Sequence, residues 1–233
     1  MNLAEAEAKL DDYLMKGIVS EIFWADECKA FAVKIGEHSA KTNESPYAHL
    51  FGRLQTMMSE HQTLAVAKLF DADKRTRSIP NILSLIDDNL PVWHLKDRSA
   101  MEIFLINEGR NEAIIKSASD GDLILLTTGH YRRTLPHPDK ASHCQFSASL
   151  KGVRESRNKV HAHNEAIDEA ARTRPTWGGT ESLVDYAKDF VCVIGMAFFG
   201  RWFGTGSDDY YLSRDARRIS QMFEQLLNEA KLI

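Results

Sequence analysis

NESPYAHLFGRLQTMMSEHQTLAVAKLFDA, residues 43–72, is followed after a short charged stretch by SIPNILSLIDDNL, residues 78–90. In the first block Ser45 and Pro46 stand as a cap and a proline at the first helical position, a placement that uses proline's fixed φ where its missing N–H does no harm. The segment then stays helix-compatible to Phe70, about 25 residues or nearly 40 Å of helix. Ser78 and Pro80 repeat the signature, and a short helix should end before Pro91. One long helix followed by a short one, with almost no period-two alternation, predicts helices packed on helices.

The same pattern continues upstream. Leu3, Ala6, Leu10, Tyr13, Leu14 and Ile18 recur at spacings of three and four, with Gly17 as a stop. Ser20 then reads as the N-cap of a second helix that breaks near Gly36. Downstream, a helix over Lys96–Ser117 is interrupted by Gly109. Residues 119–143 hold two glycines, two prolines and one apolar run, Leu123–Leu126, which predicts a loop-rich insert in which that run is helix or strand. A helix over about 145–172 follows, then Glu181–Phe203, apolar almost all round, and Ser213–Leu232 with Ile219, Met222, Phe223, Leu226, Leu227 and Ala230 on one stripe. The expectation is an all-α bundle, a single domain over residues 1–233.

With 233 residues, 43% hydrophobic and 27% charged, the chain can bury a real core. A net charge of -4 argues against a protein that coats nucleic acid through a broad basic surface, while leaving a local basic patch open. Cys28, Cys144 and Cys192 are widely spaced with no CxxC pair, so neither a disulfide framework nor a cysteine zinc site is expected, and a reducing cytoplasm is the natural setting. The N-terminus is acidic where a signal peptide needs positive charge. The most apolar stretch, Phe190–Phe203, contains Arg201 and is shorter than the roughly 18 residues of a membrane span. No membrane is expected among its partners.

Chemistry concentrates in RESRNKVHAHNEAIDEA, residues 154–170. On a helix, Val153, Val160 and Ile167 fall within roughly 40° of one another as a thin apolar seam, with Arg157 and His163 about 60° to either side of it. Arg154, Arg157, His161 and Asn164 form a wholly polar stripe. This stripe reads as a solvated face, as a metal site or as a catalytic site. His161 and His163 are two apart and point to different faces, whereas helical metal pairs need spacings of three or four. Cleavage of RNA without metal needs a group that titrates near neutrality, as histidine does, and a fixed cation for the phosphorane charge, which arginine's planar fork suits. If the seam packs on its own copy across a twofold axis, Arg157 of one chain approaches His163 of the other.

RNKVHAHNE, with five residues between Arg157 and His163, resembles the R-x4-6-H signature of the HEPN superfamily of helical ribonuclease domains. It is similar in particular to the R-(D/N)-K-x-x-A-H form of the AbiU-like branch, associated with phage abortive infection. TLAVAKLFDADKRTRSIPNILSLID, Thr63–Asp87, is similar to that branch's helix ending in LFD followed by a short serine-initiated helix. The resemblance implies a helical bundle that often dimerises through the motif helix, and a metal-independent endoribonuclease that needs no cofactor. Its implied residues are Arg157 as phosphate stabiliser, His163 as general acid or base and Asn158 as the orienting polar group. His161 is an extra histidine inside the motif and an auxiliary. Arg154, Lys159 and Asn164 would touch RNA. An antitoxin or defence-system partner protein is a further implied partner. Many HEPN domains are instead non-catalytic modules that bind a protein or nucleic acid, which is the alternative function.

Other positions carry weaker readings. Asp71 either closes the long helix or positions Arg157 or a substrate group. His137, Asp139, His143 and Cys144 bear metal-capable atoms but match no zinc spacing. Arg132 and Arg133 beside Tyr131 are the basic-plus-aromatic mixture that can hold a single strand. Phe198, Phe199, Trp202 and Phe203 read as core or dimer interface.

Overall fold

The computed structural model describes residues 1–137, 139, 144–158, 175–206 and 209–232. Its N-terminal part is a helical rod. α1, Leu3–Tyr13, starts at a capping box in which Asn2 and Glu5 satisfy each other's backbone N–H groups. Gly17 does not stop it: the chain passes through a π-helical turn, Leu14–Val19, directly into α2, Ser20–Glu37. Ser20 is therefore an interior helical residue, with φ -60 and ψ -45, and not a cap. The glycine serves close packing. A Cβ at residue 17 would lie 2.4 Å from the Arg77 Cβ and 2.7 Å from the Arg77 carbonyl oxygen. Leu10, Leu14, Ile18 and Ile22, spaced by four, are fully buried along one side of this rod.

After the short α3, Ser39–Glu44, α4 runs back as Ala48–Leu69. It is antiparallel to α2: Gln55 donates to the Ala32 carbonyl near one end, and Lys68 meets Glu21 at the other. α5, Ile79–Asp88, buries Ile79, Ile82, Leu83 and Ile86. α6, Arg98–Asn107, and α7, Glu112–Ser117, are separated at Gly109, whose φ of 79 is a left-handed conformation that only glycine adopts freely.

Residues 119–143 differ from the loop-rich expectation. Most of the described part is α8, Asp120–Thr134, opened by a capping box between Ser119 and Asp122. The run Leu123–Leu126 is helical, and Gly129 is tolerated within the helix because the cap and the burial of Leu123, Ile124 and Tyr131 outweigh its roughly 1 kcal/mol propensity cost. α9, Ser147–Ser156, α10, Trp177–Phe199, and α11, Arg214–Glu229, complete the described helices. A small antiparallel ribbon pairs Gly204–Gly206 with Asp209–Tyr210 before α11. The architecture is all-α.

The main core gathers side chains from α1, α2, α4, α5, α6, α8, α9 and α10. Phe190 and Phe198 are among its largest fully buried members, each contributing about 1.5–3 kcal/mol of transfer free energy. A smaller cluster of Ile35, Phe51, Phe223 and Leu227 ties α2 and α4 to α11. Only part of the expected α11 stripe faces inward: Phe223 and Leu227 are buried while Met222 and Leu226 are exposed. Likewise Phe198 and Phe203 are buried but Trp202 is 64% exposed, so that aromatic set is not one continuous core strip.

Candidate functional site

The turn between α4 and α5 is built around Asp71. Phe70 closes α4 and packs against Tyr186 of α10, with ring centroids 5.9 Å apart. Asp71 Oδ1 then accepts the Asp73 N–H at 3.1 Å, and its backbone carbonyl accepts the Ser78 hydroxyl at 2.6 Å. Ser78 occupies the position before α5, yet its side chain makes no cap bond there and serves the Asp71 carbonyl instead. The Asn81 amide donates to the Asp73 and Thr76 carbonyls at 2.7 and 2.8 Å. The Asp71, Ser78 and Asn81 side chains thus pin a loop that could otherwise drift.

The other half of the site comes from α9. Its start is braced by the buried Ser147, whose hydroxyl accepts the His137 N–H at 3.0 Å. Leu150 and Val153 sink into the main core. With Val153 fully buried inside one chain, it offers no surface to a second copy, so the expected seam cannot meet its copy through this residue. The polar side of the helix carries Arg154 and, one turn on, Arg157, both half-buried. Arg157 continues the helical path at φ -55 and ψ -52.

There the two halves meet. The Arg157 Nη1 lies 3.2 Å from Asp71 Oδ2 across 86 residues of sequence, and Arg157 Nε donates to Asn158 Oδ1 at 2.9 Å. Among the described residues no acceptor meets Nη2. A guanidinium held through two nitrogens, with a third donor left over, is oriented for an incoming anion. The structure therefore unites Arg157, Asn158 and the block that ends in Asp71. Asp71 follows the Phe70 cap of α4, and its carboxylate meets Arg157, which is the second of its two sequence readings. Lys159, His161, His163 and Asn164 lie outside the described residues.

The remaining candidates are placed elsewhere. Tyr131 is 2% exposed in the aromatic core, and Arg132 pairs with Asp87 at 2.6 Å, so the two are not a single-strand platform. Asp139 donates its N–H to His137 Nδ1, and among the described residues no cluster of three or more metal-capable side chains occurs. Burial pushes the Cys28 thiol up to about 11 and the Cys192 thiol to about 12, far from the thiolate a nucleophile needs.

A sequence model of the HEPN family described as AbiU2 matches residues 7–223. The chain belongs to the AbiU2 family of HEPN proteins. No curated protein and no solved structure matches it. The family match runs through both Asp71 and Arg157, so the two halves of the site lie within the matched AbiU2 region. It is an abortive-infection-related HEPN domain, which sets this AbiU2 chain in a defence-system context. Among its described residues no helix is long and apolar enough to cross a membrane.

Proposed function

We propose that this AbiU2-family chain is a metal-independent endoribonuclease of the abortive-infection or toxin type, working as a homodimer on RNA. The observation that supports it most is the Asp71–Arg157 pair: a carboxylate from one family-like block holds the arginine of the other, and among the described residues Nη2 meets no acceptor. His163 takes the proton of the attacking ribose 2′-hydroxyl or returns one to the departing 5′-oxygen, and His161 assists. The attacking oxygen bonds to phosphorus as the 5′-oxygen leaves, and Arg157 stabilises the charge that builds on the phosphoryl oxygens. Asn158, bonded to Arg157 Nε, orients it. Arg154, Lys159 and Asn164 hold the backbone of the RNA. Because Val153 sits in the chain's own core, the twofold contact uses other parts of the surface. A partner protein of the antitoxin kind restrains the activity.

Purified protein should nick RNA in EDTA, and His163→Ala should not; equal cleavage by both sinks the reading. A second reading has support in the same ion pair, since a half-buried Asp–Arg contact also suits a non-catalytic module that uses the polar stripe as a contact surface. That reading expects intact RNA, with binding weakened by Arg154→Ala or Arg157→Ala.

A further inference from the structure

A cleft of about 430 Å³ opens between the end of α6, the second half of α8, the residues leading into α9 and the first half of α10. Neither Asp71 nor Arg157 lines it. Its walls are aromatic. Phe104 stacks on Tyr131 with centroids 5.0 Å apart and planes at 9°, and Tyr186 stands edge-on to Tyr131 and to Phe146. Phe104 and Phe146 keep part of their rings accessible.

The cleft's polar lining is acidic. Glu108, Asp185 and Asp189 line it, and among the described lining residues there is no lysine or arginine. Its histidine, His130, stands 3.6 Å from Glu108 and is held below the usual imidazole range, chiefly by burial, with Arg133 and Arg110 nearby pushing it the same way against the pull of Glu108. Asp185 has Lys188 at 3.5 Å, but that ammonium sits closer to Asp26, at 2.7 Å, and burial pushes the Asp185 carboxyl up despite it. A second observation is independent of these carboxylates. The Tyr131 hydroxyl is buried on the inner wall and has no hydrogen-bond partner among the described residues. It lies within reach of the Asp189 and Glu108 charges, which add to burial in raising the phenol well above its ordinary value. A buried hydroxyl is normally hydrogen-bonded, and at the wall of a cleft the donor or acceptor that satisfies it can come from a ligand.

We propose that this cleft binds a small organic cation, an ammonium or guanidinium group on a short stem. The charged head lies against Asp185 and Glu108, the stem runs between Phe104 and Phe146, and the Tyr131 oxygen accepts an N–H at the inner end. Aromatic faces attract cations, charge-assisted hydrogen bonds to carboxylates fix their direction, and the volume suits a small ligand. The proposal is independent of RNA cleavage, because its readout is binding.

Calorimetric titration of the full chain with putrescine, spermidine and agmatine tests it, with a blocked lysine tripeptide as a separate arm. Saturable binding is expected, weakened about tenfold by Asp185→Asn and by Glu108→Gln, and unchanged by Glu229→Gln on the exposed end of α11. Binding by the tripeptide alone supports the same cation chemistry supplied by a side chain of a protein partner. Absence of saturable binding in every arm overturns the proposal, as does affinity unmoved by both cleft variants or lowered equally by Glu229→Gln. Glu108 lies on the exposed rim, so its variant keeps the test decisive even where Asp185→Asn fails to fold.

Discussion

Asp26 and Lys188 meet at 2.7 Å with side chains 11% and 7% exposed, whereas Asp71 and Arg157 meet at 3.2 Å with side chains 20% and 26% exposed. The first pair joins α2 to α10 and is closed further by the Ser213 hydroxyl, which donates to the same Asp26 oxygen at 2.8 Å. Its members have been taken out of water, and each depends on the other for its charge to be tolerated. The second pair stays partly exposed, and it uses an arginine, whose fork can satisfy a carboxylate and still present a donor. One contact holds two helices together; the other, in the proposed function, aims a cation.

The largest effect should come from opening the buried pair from one side. Lys188→Ala leaves Asp26 uncompensated in the core and should cost about 3–5 kcal/mol in a denaturant melt. Arg157→Ala should do the reverse, lowering RNA nicking about 10²–10³-fold while stability stays within about 1 kcal/mol. Arg157→Ala unfolding as readily as Lys188→Ala would erase the distinction between the pairs. Asp71→Asn keeps the shape of the contact and removes its charge, so cleavage should fall only about tenfold with the melting curve almost unmoved. Smallest of all, Asp26→Asn combined with Lys188→Met removes both buried charges while keeping an acceptor for Ser213. That double variant should melt within about 1 kcal/mol of the parent, and a loss equal to Lys188→Ala alone would argue that the pair is not simply coupled charge.

How legible these features were in the sequence follows from the range of the forces behind them. The Ser–Pro signatures at Ser45 and Ser78, and the three-and-four spacing of Leu10, Leu14 and Ile18, are local, and the helices they predict are present, although α4 starts at Ala48 after Tyr47 and Ser45 ends α3 rather than capping α4. α8 was obscured because two glycines and two prolines outweighed a capping box, Ser119 with Asp122, that was visible in the same stretch. Gly17 misled for the opposite reason: its role is to admit Arg77 from a segment sixty residues away, and local propensity carries no trace of that approach. Arg157 and Asn158 were readable from their motif, and Asp71 from its place at a helix end. Their meeting depends on how α4 and α9 pack, so it emerged only in three dimensions. Asp26 and Lys188 gave no signal, since each looks like an ordinary solvated charge on its own helix.

The notch at Gly17 reaches further than its own helix. Arg77 backbone atoms fill it, the Arg77 guanidinium clasps Asp12 at 2.6 Å, and Ser78, the next residue, grips the Asp71 carbonyl. The first helix is thereby the datum from which the Arg157 guanidinium is levelled. A methyl group added at residue 17 would push outward on the loop that holds Asp71, and the error would surface as misaim at a position 140 residues downstream. In this fold, fidelity of the site is inherited from a surface that never touches it.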